Sequence, residues 1–164
     1  MIEVHKSPNA DSRSADPLAP IAELKSSTES HIGDVAKGLE FIADLLKERG
    51  QQHDHTKIEH MEDFNAAIKG GKIKETEWYR LHTTEERHHL KAHVPEDVNL
   101  IDVLEHLVDC TMAGLTRSGQ IYDTDIPQEV LLVAAQNTVE LLKKNIRVVD
   151  AEIPIGDQPI QDLD

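Results

Sequence analysis

The adjacent pair His53 and Asp54 has the most specific chemistry in this chain. Imidazole suits transition-metal ions and carboxylate suits harder ions, so neighbours of these two types in a helix can reach one metal. Histidines lie on both sides of the pair, His31 before it and a group after it: His82, His88, His89 and His93. Asp109 then follows within an apolar stretch. This order of histidines and aspartates indicates a metal-binding bundle of helices.

Asp109 is the acidic residue that is hardest to explain without a ligand. It lies within an apolar helical stretch, where a carboxylate is costly unless it is paired or bound to metal. Asp102, His106 and Asp109 are spaced by four and three residues and therefore share one helix face. Two interpretations stay open for the first two: Asp102 is a site residue or an acid that caps the first turn. His106 is a residue behind the metal or a hydrogen-bonded core histidine.

The downstream histidines are distinguished by their expected directions on a helix. Adjacent residues diverge by about 100° on a helix, so we expect only one of His88 and His89 to bind a given metal and the other to meet substrate. His89 and His93 are four residues apart and can face one site. His55 points away from His53, and we expect it to be a surface residue or a substrate contact.

Composition limits the partners and the compartment. The 164 residues include 31 acidic and 17 basic ones, and the net charge of −14 disfavours binding to nucleic-acid backbones. The one cysteine, Cys110, excludes an intramolecular disulfide, and we expect it to be a small buried hydrophobe. No apolar run approaches the roughly 20 residues that span a bilayer, and no secretory signal is visible. We predict a cytoplasmic protein that does not contact membranes. A homo-oligomer is compatible with the sequence.

Helical periodicity would position the site residues. Apolar residues at three- and four-residue steps predict helices over about 28–49, 53–69, 83–94, 99–116 and 127–145. Thr83 and Glu86 fit the capping box that opens a helix, and Asn99 is expected to cap the next one. No strand pattern is visible, and a core with only 3% aromatic residues suits packed helices. The predicted fold is all-α, a bundle of about five to six helices.

The ends of the chain differ from its centre. Residues 1–27 are polar and rich in proline, which predicts a flexible arm that is disordered alone or docks on a partner. Residues 28–147 form the predicted helical domain. Residues 148–164 form an acidic tail that we expect to be extended.

Three segments resemble the HD-domain superfamily, which is named for its His-Asp pair and consists mostly of metal-dependent phosphohydrolases. Residues 53–57 are similar to its H-D-x-x-K stretch, residues 86–89 to the His-His element of its two-metal branches, and residues 107–110 to its late helix. The sequence of residues 78–89 and 97–114 also resembles those of small HD-like proteins frequent in bacteriophage genomes. The resemblance covers about residues 29–146, and it implies a host cytoplasmic location if the chain is phage-encoded.

The resemblance implies a centre with one or two divalent ions (Mn, Fe, Zn, Co or Mg). It assigns the first metal to His31, His53, Asp54 and Asp109, and makes His82, His89 and His93 candidates for a second. The Gly-Tyr-Pro motif of the cyclic-dinucleotide branch is absent, since residues 91–95 read Lys-Ala-His-Val-Pro. This difference counts against cyclic di-GMP as a substrate.

The leading hypothesis is hydrolysis of a phosphoester in a small nucleotide or related metabolite. A divalent ion lowers the pKa of its bound water and neutralises phosphoryl oxygens. Asp54 would bridge two ions or orient the water, and Lys57 would contact phosphate, hold Asp54 or form a structural salt bridge. His88 and Arg87 would steady substrate charge, unless Arg87 pairs with a neighbouring glutamate. The alternatives are a non-catalytic acidic binding or assembly protein with an HD-like fold, and oxidative di-iron chemistry.

Overall fold

The computed structural model describes residues 1–150, and this part of the chain is mainly helical. Six α-helices and two strands follow one another in the order β1 (Ile2–His5), α1 (Ile21–Gln52), α2 (His55–Glu59), α3 (Met61–Lys69), α4 (Glu77–Glu85), α5 (Leu100–Ser118), α6 (Gln128–Asn145) and β2 (Ile146–Val149). Short 3-10 turns lie at Pro8–Ala10 and Ile73–Glu75. The predicted helical fold class is confirmed. None of the described helices is long and apolar enough to cross a membrane.

The chain divides into two units, which we describe separately. Among the described residues, the first unit contains Met1–Leu39 and residues 145–150, and the second contains Glu40–Lys144. All the candidate site residues except His31 belong to the second unit. The domain boundaries expected at residues 28 and 147 stay predictions, and most of the predicted acidic tail lies outside the described residues.

A two-stranded parallel sheet in the first unit corrects the expectation that the chain has no strands. Ile2 of β1 lies opposite Ile146 of β2, and His5 lies opposite Val149. Each strand is only four residues long, which is too short for a clear alternation of apolar and polar side chains. The two strands are far apart in the sequence, so no hairpin-turn pattern predicts their pairing either.

Helix α1 begins at Ile21, earlier than the predicted start at Thr28. The carbonyl oxygen of Pro20 accepts hydrogen bonds from the backbone N–H groups of Glu23 and Leu24, at 3.0 and 3.1 Å. Proline favours helix starts because its fixed φ is already helical and its missing N–H would be unpaired there. The prolines that we interpreted as signs of a flexible arm therefore include one that starts a helix.

The single helix predicted over residues 53–69 is two helices, α2 and α3, in the structure. Asp54 adopts the left-handed conformation, with φ 58° and ψ 24°, and it separates the end of α1 from the start of α2 at His55. Aspartate tolerates this conformation better than most residues with a side chain. The turn at Asp54 therefore places the His-Asp pair in a connection and not inside a helix.

The helix predicted to carry His88 and His89 is absent, because the structure has no helix between α4 and α5. Thr83 does not cap a new helix. It lies within α4 and donates its hydroxyl hydrogen to the carbonyl oxygen of Tyr79, at 2.9 Å. Glu86, the expected partner in the capping box, is buried and accepts hydrogen bonds from α2. Tertiary contacts have overridden the local capping signal.

The predicted start of α5 is confirmed. The side chain of Asn99 accepts a hydrogen bond from the backbone N–H of Ile101, and the side chain of Asp102 accepts one from the N–H of Asn99, each at 2.9 Å. These two bonds form a capping box. Of the two interpretations left open for Asp102, the structure therefore supports the one in which it caps the helix.

The main core of the second unit fixes the loop between α4 and α5. Its buried members share aliphatic side chains: Leu90, Val98, Val103, Val130 and Ala134, with Leu107 and Ile126 packed against them. Leu90 and Val98 come from the loop, Val103 comes from α5, and the remaining buried members come from α6. The loop that carries His88 and His89 is therefore held by burial although it has no regular structure.

Arg87 holds the same loop by an ion pair, and its removal is our first stability prediction. Nε and Nη2 of Arg87 each donate to a carboxylate oxygen of the fully buried Asp102 at 2.8 Å. Arg87→Ala is expected to lower the free energy of unfolding by about 3 kcal/mol, because it leaves a buried charge without its main partner. Urea denaturation measures this loss. The control Arg80→Ala removes an exposed pair with Glu77 and should cost less than about 1 kcal/mol. Equal losses in both variants would contradict the role of Arg87.

Candidate metal centre

Three histidines converge on Asp54 in the second unit, and we call Asp54, His82, His88 and His89 the three-histidine cluster. Oδ1 of Asp54 lies 3.5 Å from Nε2 of His82 and 3.8 Å from Nε2 of His88. Nε2 of His89 lies 2.8 Å from Nε2 of His82. Ligands about 2.1 Å from a tetrahedral ion lie roughly 3.4 Å from one another. The two distances to Asp54 are therefore close to the spacing of metal ligands, whereas the 2.8 Å between the rings of His82 and His89 is a hydrogen bond.

Buried polar atoms in the cluster lack hydrogen-bond partners. Oδ1 of Asp54 and both ring nitrogens of His88 are buried without a partner among the described residues. His88 is 1% exposed, and its Nδ1 lies 3.0 Å from Oε1 of Glu105 without hydrogen-bond alignment. Such atoms are costly when they are left unpaired. A cation between Oδ1 of Asp54 and Nε2 of His88 would give both of these atoms a partner, so the residues present fit a metal ion.

The hydrogen bond at Nδ1 of His82 sets its tautomer, and its Nε2 shares a 2.8 Å hydrogen bond with Nε2 of His89 that a metal ion would replace. Thr56 donates its hydroxyl hydrogen to Oε1 of Glu86 at 2.7 Å, so the hydroxyl oxygen accepts from His82 Nδ1 at 2.6 Å. A neutral imidazole with its hydrogen on Nδ1 carries a lone pair on Nε2. That lone pair faces Asp54 and His89. Thr56 and Glu86 therefore set the tautomer of His82 from behind.

The protonation states in the cluster also suit a metal. Burial lowers the pKa of His89 to about 4, and burial lowers the pKa of His82 as well. Both rings are neutral at pH 7, which is the form that binds metals. Burial raises the pKa of Asp54, but the hydrogen bond and charge of Lys57 outweigh burial and leave that pKa below its usual value. The cluster thus offers neutral imidazoles and an ionised carboxylate.

His53 connects the other side of Asp54 to two acids on α5. Its Nε2 lies 3.5 Å from Oδ2 of Asp54 and 3.5 Å from Oδ1 of Asp109, and its Nδ1 lies 2.9 Å from Oε1 of Glu105. Glu105 and Asp109 are four residues apart and face the same side of α5. A carboxylate on Nδ1 orients a histidine so that Nε2 can bind a metal. His53 therefore links Asp54 to Asp109, and its described group of potential metal ligands is His53, His88 and Glu105, whose ligand atoms lie within 4.8 Å of one another.

The charge of His53 leads to a pH prediction for the metal-free protein. Hydrogen bonding to Asp109 and Glu105 raises the pKa of His53 to about 10. A raised folded-state pKa adds stability that is fully present below about pH 6.5 and is lost as the pH rises through about 10. The free energy of unfolding, measured in urea with a chelator, should therefore fall between about pH 6.5 and 10. His53→Ala should show a smaller fall, and an equal fall in both proteins would exclude His53 as its source.

The structure does not bring every predicted ligand to the centre. His31 is exposed on α1 in the first unit, and His93 is exposed in the loop before α5. Neither of them, nor Asp109, belongs to a described group of residues able to hold a metal. Asp109 is near the centre, but its side chain is 28% exposed and not deeply buried. Periodicity identifies the face of a helix but not the position along it at which a site forms.

The prediction that His88 and His89 lie on a helix is wrong, and this removes the reason for expecting only one of them at a given metal. Asp54, His88 and His89 form one group whose ligand atoms lie within 4.8 Å of one another. The expectation rested on the 100° step of a helix, and these residues lie in the non-helical segment after α4 instead. Of the alternatives for Lys57, the structure has the contact in which its ammonium group donates to Asp54. Arg87 pairs with aspartates and not with a neighbouring glutamate.

Three buried residues at the centre were not predicted: Thr56, Glu86 and Glu105. Glu105 precedes Asp109 by four residues, so the shared helix face was a signal that could have identified it. Thr56 and Glu86 meet across 30 positions of the chain, and no local pattern predicts their contact. His106 is the core histidine of its two interpretations, because it is buried and its Nδ1 lies 2.9 Å from the carbonyl oxygen of His88.

No family model, no curated protein and no solved structure matches this chain significantly. The functional conclusion therefore rests on the geometry of the site. That geometry gives a mainly helical protein with buried groups of histidine, aspartate and glutamate that can hold a metal ion.

Proposed function

We propose that this protein is a metal-dependent phosphohydrolase that acts on a phosphoester of a small nucleotide or related metabolite. The observation that carries the proposal is the three-histidine cluster, in which buried and unpartnered atoms of Asp54 and His88 lie 3.8 Å apart. Structural polar groups of this kind normally have partners. The two atoms are unpartnered because, in this proposal, their partner is a metal ion.

The ligand set limits the metal. Asp54, His88 and His89 would hold one ion, and His53 with Asp109 would hold a second. Nitrogen-rich sites favour Zn, Fe, Co and Mn, whereas Mg demands oxygen ligands. A first-row transition metal is therefore the proposed cofactor, with one or two ions bound.

The side chains at the exposed edge would handle the substrate. When bound, the metal supplies a water of lowered pKa and neutralises the phosphoryl oxygens. Lys57, whose ammonium is partly exposed beside Asp54, adds the positive charge that a phosphate needs near these acids. In the metal-free protein Asp109 is ionised, because its hydrogen bond with His53 lowers its pKa to about 2. It can therefore accept a hydrogen bond from the attacking water and orient it.

The resemblance to the HD-domain superfamily supports this proposal in part. The pair His53 and Asp54 lies beside Asp109 at the centre, as the resemblance implies. His31, the remaining expected ligand of the first metal, lies on α1 in the other unit. The proposal therefore uses the histidines of α4 and of the loop that follows it in place of His31.

Elemental analysis of the purified protein followed by a phosphatase assay tests the proposal. We expect stoichiometric transition metal and release of phosphate from one or more members of a panel of nucleoside mono-, di- and triphosphates. Chelation should abolish turnover, and added Mn, Co or Zn should restore it. Metal without turnover on the panel would contradict hydrolysis, and oxygen consumption by an iron-loaded protein would point to oxidative chemistry instead.

A specific observation favours a second candidate, which is a non-catalytic assembly protein. On α1, Ile32 is 62% exposed, Val35 48% and Leu39 66%. Their spacing of three and then four residues is the seam of a coiled coil, which would pack against the same seam of a second copy. Light scattering tests this homo-oligomer. A dimer that becomes a monomer in Leu39→Asp would support assembly through α1, and a wild-type monomer would exclude it.

A further inference from the structure

An apolar groove lies next to the candidate metal centre in the second unit. It is a cavity of about 450 Å³, and four apolar side chains from the end of α1 and from α5 define it: Leu46, Leu104, Val108 and Met112. Its volume is in the range of pockets that hold small organic molecules. Val108 is 59% exposed, so the empty groove leaves apolar surface in contact with water, which is unfavourable.

The groove and the centre share residues. His53 and Asp109 line the groove, and they are also potential metal ligands with partly exposed side chains. A molecule in the groove would therefore lie beside the open edge of the centre, where a phosphate would approach. This continuity indicates that the groove receives the organic part of the same molecule whose phosphate meets the metal.

The polar lining indicates what kind of organic group fits. Arg49 lines the groove, and its guanidinium faces acids on α5, with Nε 3.5 Å from Oε2 of Glu105 and Nη2 3.7 Å from Oδ1 of Asp102. A guanidinium stacks on flat aromatic rings and donates hydrogen bonds to ring acceptors. A plain alkyl chain would remove water from this guanidinium without forming a hydrogen bond or stacking contact with it, which is unfavourable.

We propose that the groove binds the nucleobase of a nucleotide substrate, and that it does so mainly by apolar burial with a contribution from Arg49. The inference rests on the proposed function because it assigns the organic group of that substrate. Aliphatic walls offer little hydrogen-bond readout of base edges, so the site should accept several different nucleobases. Selectivity would then be for nucleotides over sugar phosphates and not for one base.

Titration of the full-length protein with adenosine, followed by NMR or calorimetry, tests the groove without any turnover. We expect adenosine to bind at least about tenfold more tightly than ribose, which lacks the ring. Val108→Asp places a charge in the groove and should weaken adenosine binding about tenfold or more. The control Leu115→Asp changes another residue of α5, 49% exposed and outside the groove, and should leave binding within about twofold.

The outcomes separate this inference from the proposed function, because adenosine needs neither metal nor hydrolysis to bind. A wild-type protein that binds adenosine no better than ribose would overturn the inference, even if it hydrolyses phosphoesters. Equal weakening in Val108→Asp and Leu115→Asp would also overturn it. A dimer that Val108→Asp converts to a monomer, with no adenosine binding, would assign the groove to a second copy of the chain and overturn it.

Discussion

Asp54→Asn is expected to abolish metal binding while the helical fold persists. The amide keeps the size of the side chain but removes the charge, and this residue belongs to two of the described groups able to hold a metal. Loss of a residue behind the metal typically costs 10–100-fold in affinity, so the loss of this central ligand should exceed about 100-fold. Asparagine also tolerates the left-handed backbone at this position. Metal content by elemental analysis and helicity by circular dichroism measure the two effects.

The control for this variant is Asp63→Asn, which makes the same chemical change on an exposed side chain of α3. It should retain wild-type metal content. Equal metal occupancy in wild type and Asp54→Asn would exclude the three-histidine cluster as the site. Loss of metal together with loss of helicity would mean that Asp54 supports the fold, and it would contradict the role proposed for this residue.

Thr56→Val is expected to weaken metal binding without touching a metal ligand atom. Valine has the shape of threonine but no hydroxyl, so His82 loses the acceptor that fixes its tautomer and Glu86 loses a donor. All three residues are buried, and an unpaired buried group costs about 1–3 kcal/mol. We expect metal affinity to fall 10–100-fold, as for other residues that orient a ligand. Competition with a fluorescent chelator measures the affinity, and urea denaturation of the metal-free protein measures stability.

Thr84→Val is the matched control, since its hydroxyl donates only to the carbonyl oxygen of Arg80 within α4 and the residue is exposed. Its stability should stay within about 0.5 kcal/mol of wild type, and its metal affinity should be unchanged. A stability loss in Thr56→Val with unchanged metal affinity would limit Thr56 to a structural role. It would also contradict the proposal that Thr56 orients His82 for metal binding.

The parts of the fold that the sequence predicts are those with local causes. Asn99 and Asp102 lie three residues apart and form a capping box whose bonds span only neighbouring residues, so the start of α5 was predictable. The strands β1 and β2 pair residues 144 positions apart, such as Ile2 and Ile146, and no short pattern encodes that pairing. The same contrast applies to Thr83, whose capping signal is present in the sequence but unused in the structure.

The site was predictable to a similar extent. His53, Asp54 and Asp109 could be selected from residue type and apolar context, and the structure places them within 3.5 Å contacts. The joint role of His88 and His89 could not be predicted, because it depends on a loop whose path is set by Arg87 and by burial of its aliphatic residues. Residue types thus indicate that a centre exists, and distant packing decides which members form it.

The backbone at Asp54 implies that thermal stability and metal binding place opposite demands on this position. A residue with a side chain is held there at φ 58°, in a conformation that costs roughly 1 kcal/mol and that glycine adopts freely. A mutant library screened only for survival of heating should therefore enrich glycine at this position. Those clones would have lost the carboxylate that two of the described groups of potential ligands share. Directed evolution of a more robust form would have to hold position 54 fixed and obtain its stability from other residues.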